Sequence, residues 1–113
     1  MLDYQEHRFA MNAQGDLARD IEHALEADPK RTRAALDGWI SRSAEIGPGS
    51  IRVEVVDPTG EIELSFLESQ WFACRVERGE AQHRHPVRFR LEPGALILRT
   101  LPRDALGERV DEI

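Results

Sequence analysis

Lysine and cysteine are almost missing from this sequence of 113 residues, in which Lys30 and Cys74 are the single examples. A lone cysteine excludes an internal disulfide and is typical of proteins from a reducing compartment. All other members of the lysine and arginine class are arginine, which indicates a GC-rich and therefore bacterial genome. Selection of arginine for bidentate recognition of carboxylates is the alternative explanation.

Long apolar runs are missing too, since none approaches the roughly 20 residues that a membrane span requires. The first residues, MLDYQEHRFA, lack the basic and apolar regions of a secretory signal, so we expect a cytoplasmic protein. The formal net charge of −6 disfavours nucleic acids and anionic membranes as partners, because both bind cationic surfaces. Contents of 41% hydrophobic and 32% charged residues are typical of one folded domain at this length.

The first part of the chain has the apolar spacing of helices. A stripe at three- and four-residue steps favours a helix over residues 3–27. A break near Gly15, with Asp16 as the N-cap of a second piece, is the alternative. Asp28 as N-cap and Pro29 as the first helical residue predict another helix, which ends at the following Gly-Pro-Gly segment.

Beyond residue 50 apolar residues alternate with polar ones, which is the period of strands. The segment DPTG at residues 57–60 has the composition of a type I turn. A buried face sets the register of the hairpin around this turn, because a slip by one residue would turn every side chain to the other face. We therefore expect Val55 opposite Ile62 and Asp57 opposite Gly60.

Three further strands are predicted over residues 71–77, 87–91 and 95–101. A turn that contains glycine, at residues 78–81, and a Pro93-Gly94 turn connect them. Because all connections are short, the strands are expected to form an antiparallel meander.

The predicted fold class is α+β, with two N-terminal helices packed on one face of a five-stranded antiparallel meander sheet. The whole chain is expected to be a single domain. It consists of a helical part (residues 3–46), a sheet (residues 51–101) and a short C-terminal tail (residues 102–113).

Two histidines in the segment AQHRHPVRFR are the main candidates for a site. If the preceding turn lies at residues 78–81, strand pairing sets Cys74 opposite His85, with His83 on the same face. A thiol and two imidazoles would then be cross-strand neighbours, and zinc binds such ligands. Cys74, His83 and His85 are therefore a candidate metal or ligand site, with zinc as the metal. The alternative is a buried cysteine and two histidines at a solvated strand end, with no cofactor.

The stretch HRHPVRFRLEPGALIL resembles the segment in which cupins carry an H-x-H metal pair, a glutamate and a glycine turn. The resemblance implies metal binding by His83 and His85. The glutamate expected three or four residues later is missing, because Phe89 and Arg90 lie there, and no second histidine motif follows. The chain is therefore not assigned to the cupins.

Arginines form a second candidate surface, which we call the arginine face. Arg84, Arg88 and Arg90 share one side of a predicted strand, and pairing across the last turn sets Arg88 opposite Arg99. This arrangement predicts a docking patch for an acidic partner; a solvated face with ion pairs to nearby glutamates is the alternative. Trp71 is a candidate contact residue on the same outer side.

Motifs for catalysis or nucleotide binding are not found, since the sequence contains no P-loop, GxGxxG, GxSxG or HExxH pattern. Cys74 lies in a predicted strand and is a poor nucleophile candidate. We therefore expect a small bacterial interaction module rather than an enzyme, which binds another protein or a second copy of itself. Its size and acidic charge are similar to those of bacterial secretion chaperones and toxin-immunity proteins. A metal- or ligand-binding domain is the alternative function.

Overall fold

The computed structural model describes residues 4–41, 43–72 and 77–101. These residues form two helices and a six-stranded antiparallel sheet, and apolar residues of the helices and of one sheet face share a single core. The predicted α+β class is therefore confirmed. In chain order the elements are β1 (Gln5–Ala10), α1 (Leu17–Glu26), α2 (Pro29–Ala35), a 3-10 helix (Asp37–Trp39), β2 (Glu45–Ile46), β3 (Arg52–Asp57), β4 (Glu61–Phe72), β5 (Glu77–Glu92) and β6 (Ala95–Thr100).

The sheet is organised around the long β4–β5 hairpin. Its strand order is β1-β6-β5-β4-β2, and β3 also pairs with β4. β2 and β3 therefore pair with different parts of the same strand, at residues 68–69 and 61–65 of β4. We call the sheet side covered by the helices the inner face and the opposite side the outer face.

Both helices begin after capping residues that the sequence indicated, Asp28 in the prediction itself and Asp16 in the alternative of a broken helix. The carboxylate of Asp16 accepts a hydrogen bond from the N–H of Arg19 at 3.2 Å and starts α1. The carboxylate of Asp28 accepts from the N–H of Arg31 at 3.2 Å, and Pro29 is the first residue of α2. Each cap satisfies an N–H group that has no partner within the helix.

α2 ends at Ala35, earlier than the predicted end at the Gly-Pro-Gly segment. The Arg33 guanidinium donates to the backbone carbonyls of Ser41 at 3.1 Å and Ala44 at 2.9 Å. These bonds supply partners for carbonyls that lie beyond the helix, so the chain turns through the 3-10 helix instead. Of the four apolar residues predicted for this helix face, Leu36, Ile40 and Ala44 are buried nevertheless, and Trp39 is partly buried against the core.

Residues 5–10 form a strand, so the predicted helix over residues 3–27 is wrong in its first part and begins only at Leu17. β1 pairs with β6 in antiparallel register, beginning with Gln5 opposite Thr100. This pairing provides hydrogen-bond partners for the backbone groups along one side of β6. The free energy of this long-range pairing outweighs the local preference for a helix. The alternative of a break near Gly15 is confirmed, because Gly15 has a φ of 104°, which favours glycine.

The predicted register of the β3–β4 hairpin is confirmed along its buried face, where Val55 lies opposite Ile62. The predicted pairing of Asp57 with Gly60 is wrong. A register shift between Val55 and Asp57 makes Glu61 the partner of Asp57. The extra residue in β3 forms a bulge, which reconciles the apolar register with the geometry of the turn.

The β4–β5 hairpin reverses at a different place from the predicted turn. Its last described pair is Phe72 opposite Glu77, and residues 73–76 between them lie outside the described residues. Residues 78–81 lie within β5, and the separate strand predicted over residues 71–77 is wrong. The observed register aligns the alternating apolar positions of both strands and pairs more backbone groups than a turn at residues 78–81 would allow.

The core lies between the helices and the inner face of the sheet. Its most buried apolar side chains are Phe9, Ile21, Leu25, Leu36, Ile62, Leu64, Phe66, Leu96 and Leu98. Burial of these side chains supplies the main favourable free energy of folding. None of the helices in the described ranges has the length and apolar character needed to cross a membrane.

Candidate functional site

Polar side chains interrupt the inner face near the middle of the β4–β5 hairpin. His83 lies opposite Phe66 and His85 opposite Leu64, so both imidazoles are on the helix-covered side. Glu68 follows Phe66 by two residues on the same side and is only 8% exposed. We call Glu68, His83 and His85 the histidine relay.

Hydrogen bonds join the three side chains of the histidine relay in a line. Glu68 Oε1 lies 2.6 Å from His83 Nε2, and His83 Nδ1 lies 3.1 Å from His85 Nε2. The other carboxylate oxygen of Glu68 accepts from the backbone N–H of Ser41 at 3.1 Å. The loop after the 3-10 helix therefore holds one end of the relay in place.

The line of hydrogen bonds assigns the histidine tautomers when both rings are neutral. An ionised Glu68 accepts only, so His83 carries its proton on Nε2 and is an acceptor at Nδ1. His85 must then donate from Nε2, which leaves His85 Nδ1 unprotonated. Among the described residues no hydrogen bond engages His85 Nδ1. In that state of the two rings, the relay ends in an unprotonated Nδ1 of His85.

Aromatic rings hold both imidazoles in place. Trp39 stacks on His85 with 4.2 Å between ring centroids and 6° between planes. Phe66 stacks on His83 at 4.9 Å and 8°. Because stacking and hydrogen bonding both restrain these rings, the orientation of the His85 ring is fixed.

The surroundings of the histidine relay change the pKa of its two ends. Burial, and secondly the neighbouring His83, lower the pKa of His85 to about 4. Burial by itself would raise the pKa of the Glu68 carboxyl, but hydrogen bonds from Ser41 and His83 hold that pKa below its ordinary value. At neutral pH the relay therefore has an anionic end at Glu68 and a neutral end at His85.

His85 lies in the wall of a cleft of about 420 Å³, which we call the His85 cleft. The cleft opens where β5 passes the end of β6, and residues of β4 and of the 3-10 helix complete it. Thr100 is 2% exposed, and its hydroxyl is buried without a hydrogen-bond partner in the described structure. The lining residues are Tyr4, Trp39, Glu61, His85, Pro86, Val87, Arg88, Arg99, Thr100 and Leu101.

The arginine face is divided between arginines that form ion pairs within 4 Å and arginines that only lie opposite a glutamate in the strand register, Arg88 opposite Glu61 and Arg99 opposite Glu6. Arg90 binds Glu6 at 2.8 Å and Glu92 at 3.0 Å, in a network of exposed ion pairs. Arg84 lies 3.5 Å from Glu63 across the hairpin. For these two arginines the structure therefore shows the ion-paired arrangement that was the alternative to a docking patch.

Arg88 and Arg99 are the other two members of the arginine face, and both line the His85 cleft. They lie opposite each other on β5 and β6, so the predicted like-charge pair is confirmed. The Arg99 guanidinium carbon lies 5.2 Å from the centre of the Tyr4 ring. Within the described ranges no ion pair within 4 Å joins Arg88 or Arg99 to an acidic side chain.

The remaining site predictions fall partly outside the described residues. Cys74 lies there, and so does the side chain of Trp71, whose backbone pairs with that of Arg78 in the β4–β5 hairpin. The register that set Cys74 opposite His85 is wrong, because Leu64 takes that position. No group of three or more potential metal ligands occurs in the described part of the chain.

Glu68 and Trp39 are site residues that the sequence prediction missed. Glu68 continues the alternating series Ile62, Leu64 and Phe66, so a carboxylate on an otherwise apolar face was a detectable signal. Trp39 had no comparable local signal. Its contact with His85 depends on how the 3-10 helix packs on the sheet.

A second candidate site is the edge of β5 that faces away from β4. Only residues 88–92 of β5 pair with β6. On that side, residues 79–86 meet no other strand of the described structure. We call residues 79–86 of β5 the free edge, because unpaired backbone N–H and C=O groups of a strand are a template for another strand.

Comparisons with protein-family models, with curated proteins and with solved structures find no match for this chain.

Proposed function

We propose that this protein is a protein-interaction module, and that a partner strand pairs with the free edge of β5. The observation that carries the proposal is the length of β5, which exceeds that of β6 by ten residues (16 against 6). Strand addition to such an edge is a common mode of protein recognition. The arginine-rich composition and the lone cysteine support a bacterial and cytoplasmic setting for this interaction.

The backbone groups of the free edge alternate in direction. The N–H of Phe89 donates to the carbonyl of Gly60 at 3.0 Å, on the β4 side. Odd-numbered residues of β5 therefore bond to β4, whereas Glu80, Gln82 and Arg84 present their N–H and C=O groups outward. Pro86 has no N–H, but its nitrogen is on the outward side, so proline costs the β4–β5 ladder no hydrogen bond.

The charged side chains of the free edge are complementary to those of a second copy of this chain. A two-fold axis at Gln82, perpendicular to the sheet, sets Glu80 of each copy opposite Arg84 of the other. These side chains are exposed on the outer face, where opposite charges on facing residues stabilise a strand pair. Moving the axis to Glu80 or to Arg84 would set like charges opposite each other. The proposed partner is therefore a second copy.

Charge reversal at the free edge tests this register. Glu80→Arg puts arginine opposite Arg84 at two symmetric places, so we expect a dissociation constant about tenfold higher or more. The double variant with Glu80→Arg and Arg84→Glu restores both opposite-charge pairs and should restore dimerisation. Analytical ultracentrifugation over a concentration series measures the dimer dissociation constants of the wild type, the single variant and the double variant.

Two results would contradict the proposal. A wild-type protein that stays monomeric at millimolar concentration does not use the free edge for self-association. Hydrogen exchange then decides what the edge does: slow exchange of the Glu80, Gln82 and Arg84 amides in a monomer would mean that another part of the same chain covers them. Fast exchange of these amides in a monomer would mean that nothing covers the free edge, and it would rule out a second copy as its partner.

A further inference from the structure

In the described sheet, β1 and β3 each have an unpaired edge as well, and a helix side chain bonds to each of these edges. β1 is the last strand at one end of the sheet, and β3 lies at the other end, beside β4. We propose that both edges fit a second copy of this chain, and that Glu22 and Arg31 block them. We call Glu22 and Arg31 the edge-capping residues. The blocking is independent of the proposed function; its consequence, that association stops at two copies, rests on pairing at the free edge of β5.

On β3 the edge-capping residue holds a backbone donor. The N–H of Val53 donates to Glu22 Oε2 at 2.9 Å, so the backbone groups of Val53 point away from β4. A two-fold axis at Val53, perpendicular to the sheet, would set Arg52 of one copy opposite Glu54 of the other. Both side chains are exposed, and opposite charges on facing residues stabilise a strand pair. In this register the Val53 N–H would be the central donor, and Glu22 already occupies it.

On β1 the edge-capping residue holds a backbone acceptor. The N–H of Met11 donates at 3.1 Å to a carbonyl of the turn between β5 and β6, so even-numbered residues of β1 direct their backbone groups away from β6. On that side Arg31 Nη1 donates to the carbonyl of Arg8 at 3.0 Å. A two-fold axis at His7 would set Glu6 of one copy opposite Arg8 of the other, with the Arg8 carbonyl as an acceptor. Arg31 already occupies this acceptor.

The free edge of β5 has no such cap. In the described part of the chain no side chain bonds to a backbone group of residues 79–86. Asp28 holds Arg31 at the β1 edge, since Arg31 Nε lies 3.3 Å from its carboxylate. Charged side chains at sheet edges are a usual means of preventing strand addition. A dimer through the free edge of β5 therefore stays closed only while the edges of β1 and β3 are blocked, because another pairing edge would extend the assembly.

A background without pairing at the free edge separates the two proposals. Gln82→Pro removes the donor at the centre of the proposed β5 pairing, and it leaves the β4–β5 ladder intact because the Gln82 N–H points outward. The charge reversal Glu80→Arg provides a second such background. In either one, Glu22→Ala or Arg31→Ala should lower the dissociation constant for self-association at least about tenfold, because two symmetric backbone groups become available. Analytical ultracentrifugation measures these constants.

Matched variants separate edge capping from loss of charge. Glu22→Gln removes the charge but keeps an oxygen that accepts from the Val53 N–H. Lys30→Ala removes the cation next to Arg31 in α2, and no hydrogen bond joins Lys30 to β1 in the described structure. Both controls should remain as monomeric as the background.

Hydrogen exchange shows which edge pairs. Val55 follows Val53 by two residues and directs its N–H the same way, so the Val55 amide should exchange more slowly in associated Glu22→Ala than in the background. In associated Arg31→Ala the Glu6 amide should become the slow one. With the free edge of β5 intact, Glu22→Ala gives each chain two pairing edges and should form assemblies larger than a dimer.

Three results would overturn the inference. The first is that Glu22→Ala and Arg31→Ala both stay monomeric at millimolar concentration in both backgrounds. The second is that Glu22→Gln or Lys30→Ala associates as strongly as the alanine variant of the edge-capping residue. The third is association without slower exchange of the Val55 or Glu6 amide. A monomeric wild type would contradict pairing at the free edge alone, and the same comparisons would still decide whether the edges of β1 and β3 are blocked.

Discussion

Replacement of His85 by phenylalanine should change how the stability of this protein depends on pH. The folded protein holds the pKa of His85 at about 4, below its ordinary value of 6.5, because of burial and of the neighbouring His83. The unfolded chain therefore binds a proton near pH 6.5, whereas the folded protein does not. His85→Phe removes this difference but keeps an aromatic ring against Trp39.

The lowered pKa of His85 determines in which direction the stability of the wild type changes with pH. As pH falls below 6.5, His85 becomes protonated in the unfolded state but stays neutral in the folded state. The wild type therefore loses stability until the pH reaches about 4. The difference between the two pKa values of His85, 6.5 and about 4, corresponds to a loss of about 3 kcal/mol in the free energy of unfolding, at about 1.36 kcal/mol per pKa unit. Because the His85 side chain is only partly buried, solvent screening reduces the expected loss between pH 7 and pH 5 to about 1 kcal/mol.

Urea unfolding of both proteins at pH 7 and pH 5 measures this effect. At pH 7 the variant should be less stable by about 1 kcal/mol, because His83 Nδ1 loses its hydrogen-bond partner. At pH 5 this deficit should shrink by about 1 kcal/mol or vanish. Titratable groups that do not contact His85 are common to both proteins, so their contributions cancel in the comparison to first order. A deficit that stays the same at both pH values would refute the assigned environment of His85.

Two further predictions concern buried polar groups. Glu68→Ala leaves the Ser41 N–H and the His83 ring without their acceptor, and should lower the free energy of unfolding by about 2–4 kcal/mol in urea denaturation. A loss below about 1 kcal/mol would mean that water replaces the carboxylate. Thr32→Val removes the 2.7 Å hydrogen bond from the Thr32 hydroxyl to the carbonyl of Leu25, so we expect a loss of about 1 kcal/mol in the same assay, and an unchanged stability would contradict the role of this bond.

Local signals in the sequence were sufficient for several elements. Asp28 and Pro29 predicted the start of α2, because the capping interaction depends only on neighbouring residues. Alternating apolar residues predicted the buried face of the β3–β4 hairpin, including Val55 opposite Ile62. The prediction was possible because a slip by one residue would turn the apolar side chains away from the core. These features required no knowledge of distant parts of the chain.

The candidate site could be predicted only in part. His83 and His85 were recognisable as two ligand-type side chains on one strand face, since residues two apart in a strand point the same way. Their partners were not, because residues 78–81 are paired in β5 instead of forming the predicted turn, and the observed register changes every cross-strand neighbour. The histidines therefore meet Glu68 and each other rather than the predicted arrangement with Cys74.

The sequence alone determined the α+β class and the start of α2, because residue spacing and capping are local properties. Tertiary structure decided that residues 5–10 form β1, that the hairpin strands are long, and that Trp39 covers His85. These outcomes depend on pairing and packing between residues far apart in the chain. Their free energy exceeds the small local preferences, and it becomes visible only when the whole sheet is assembled.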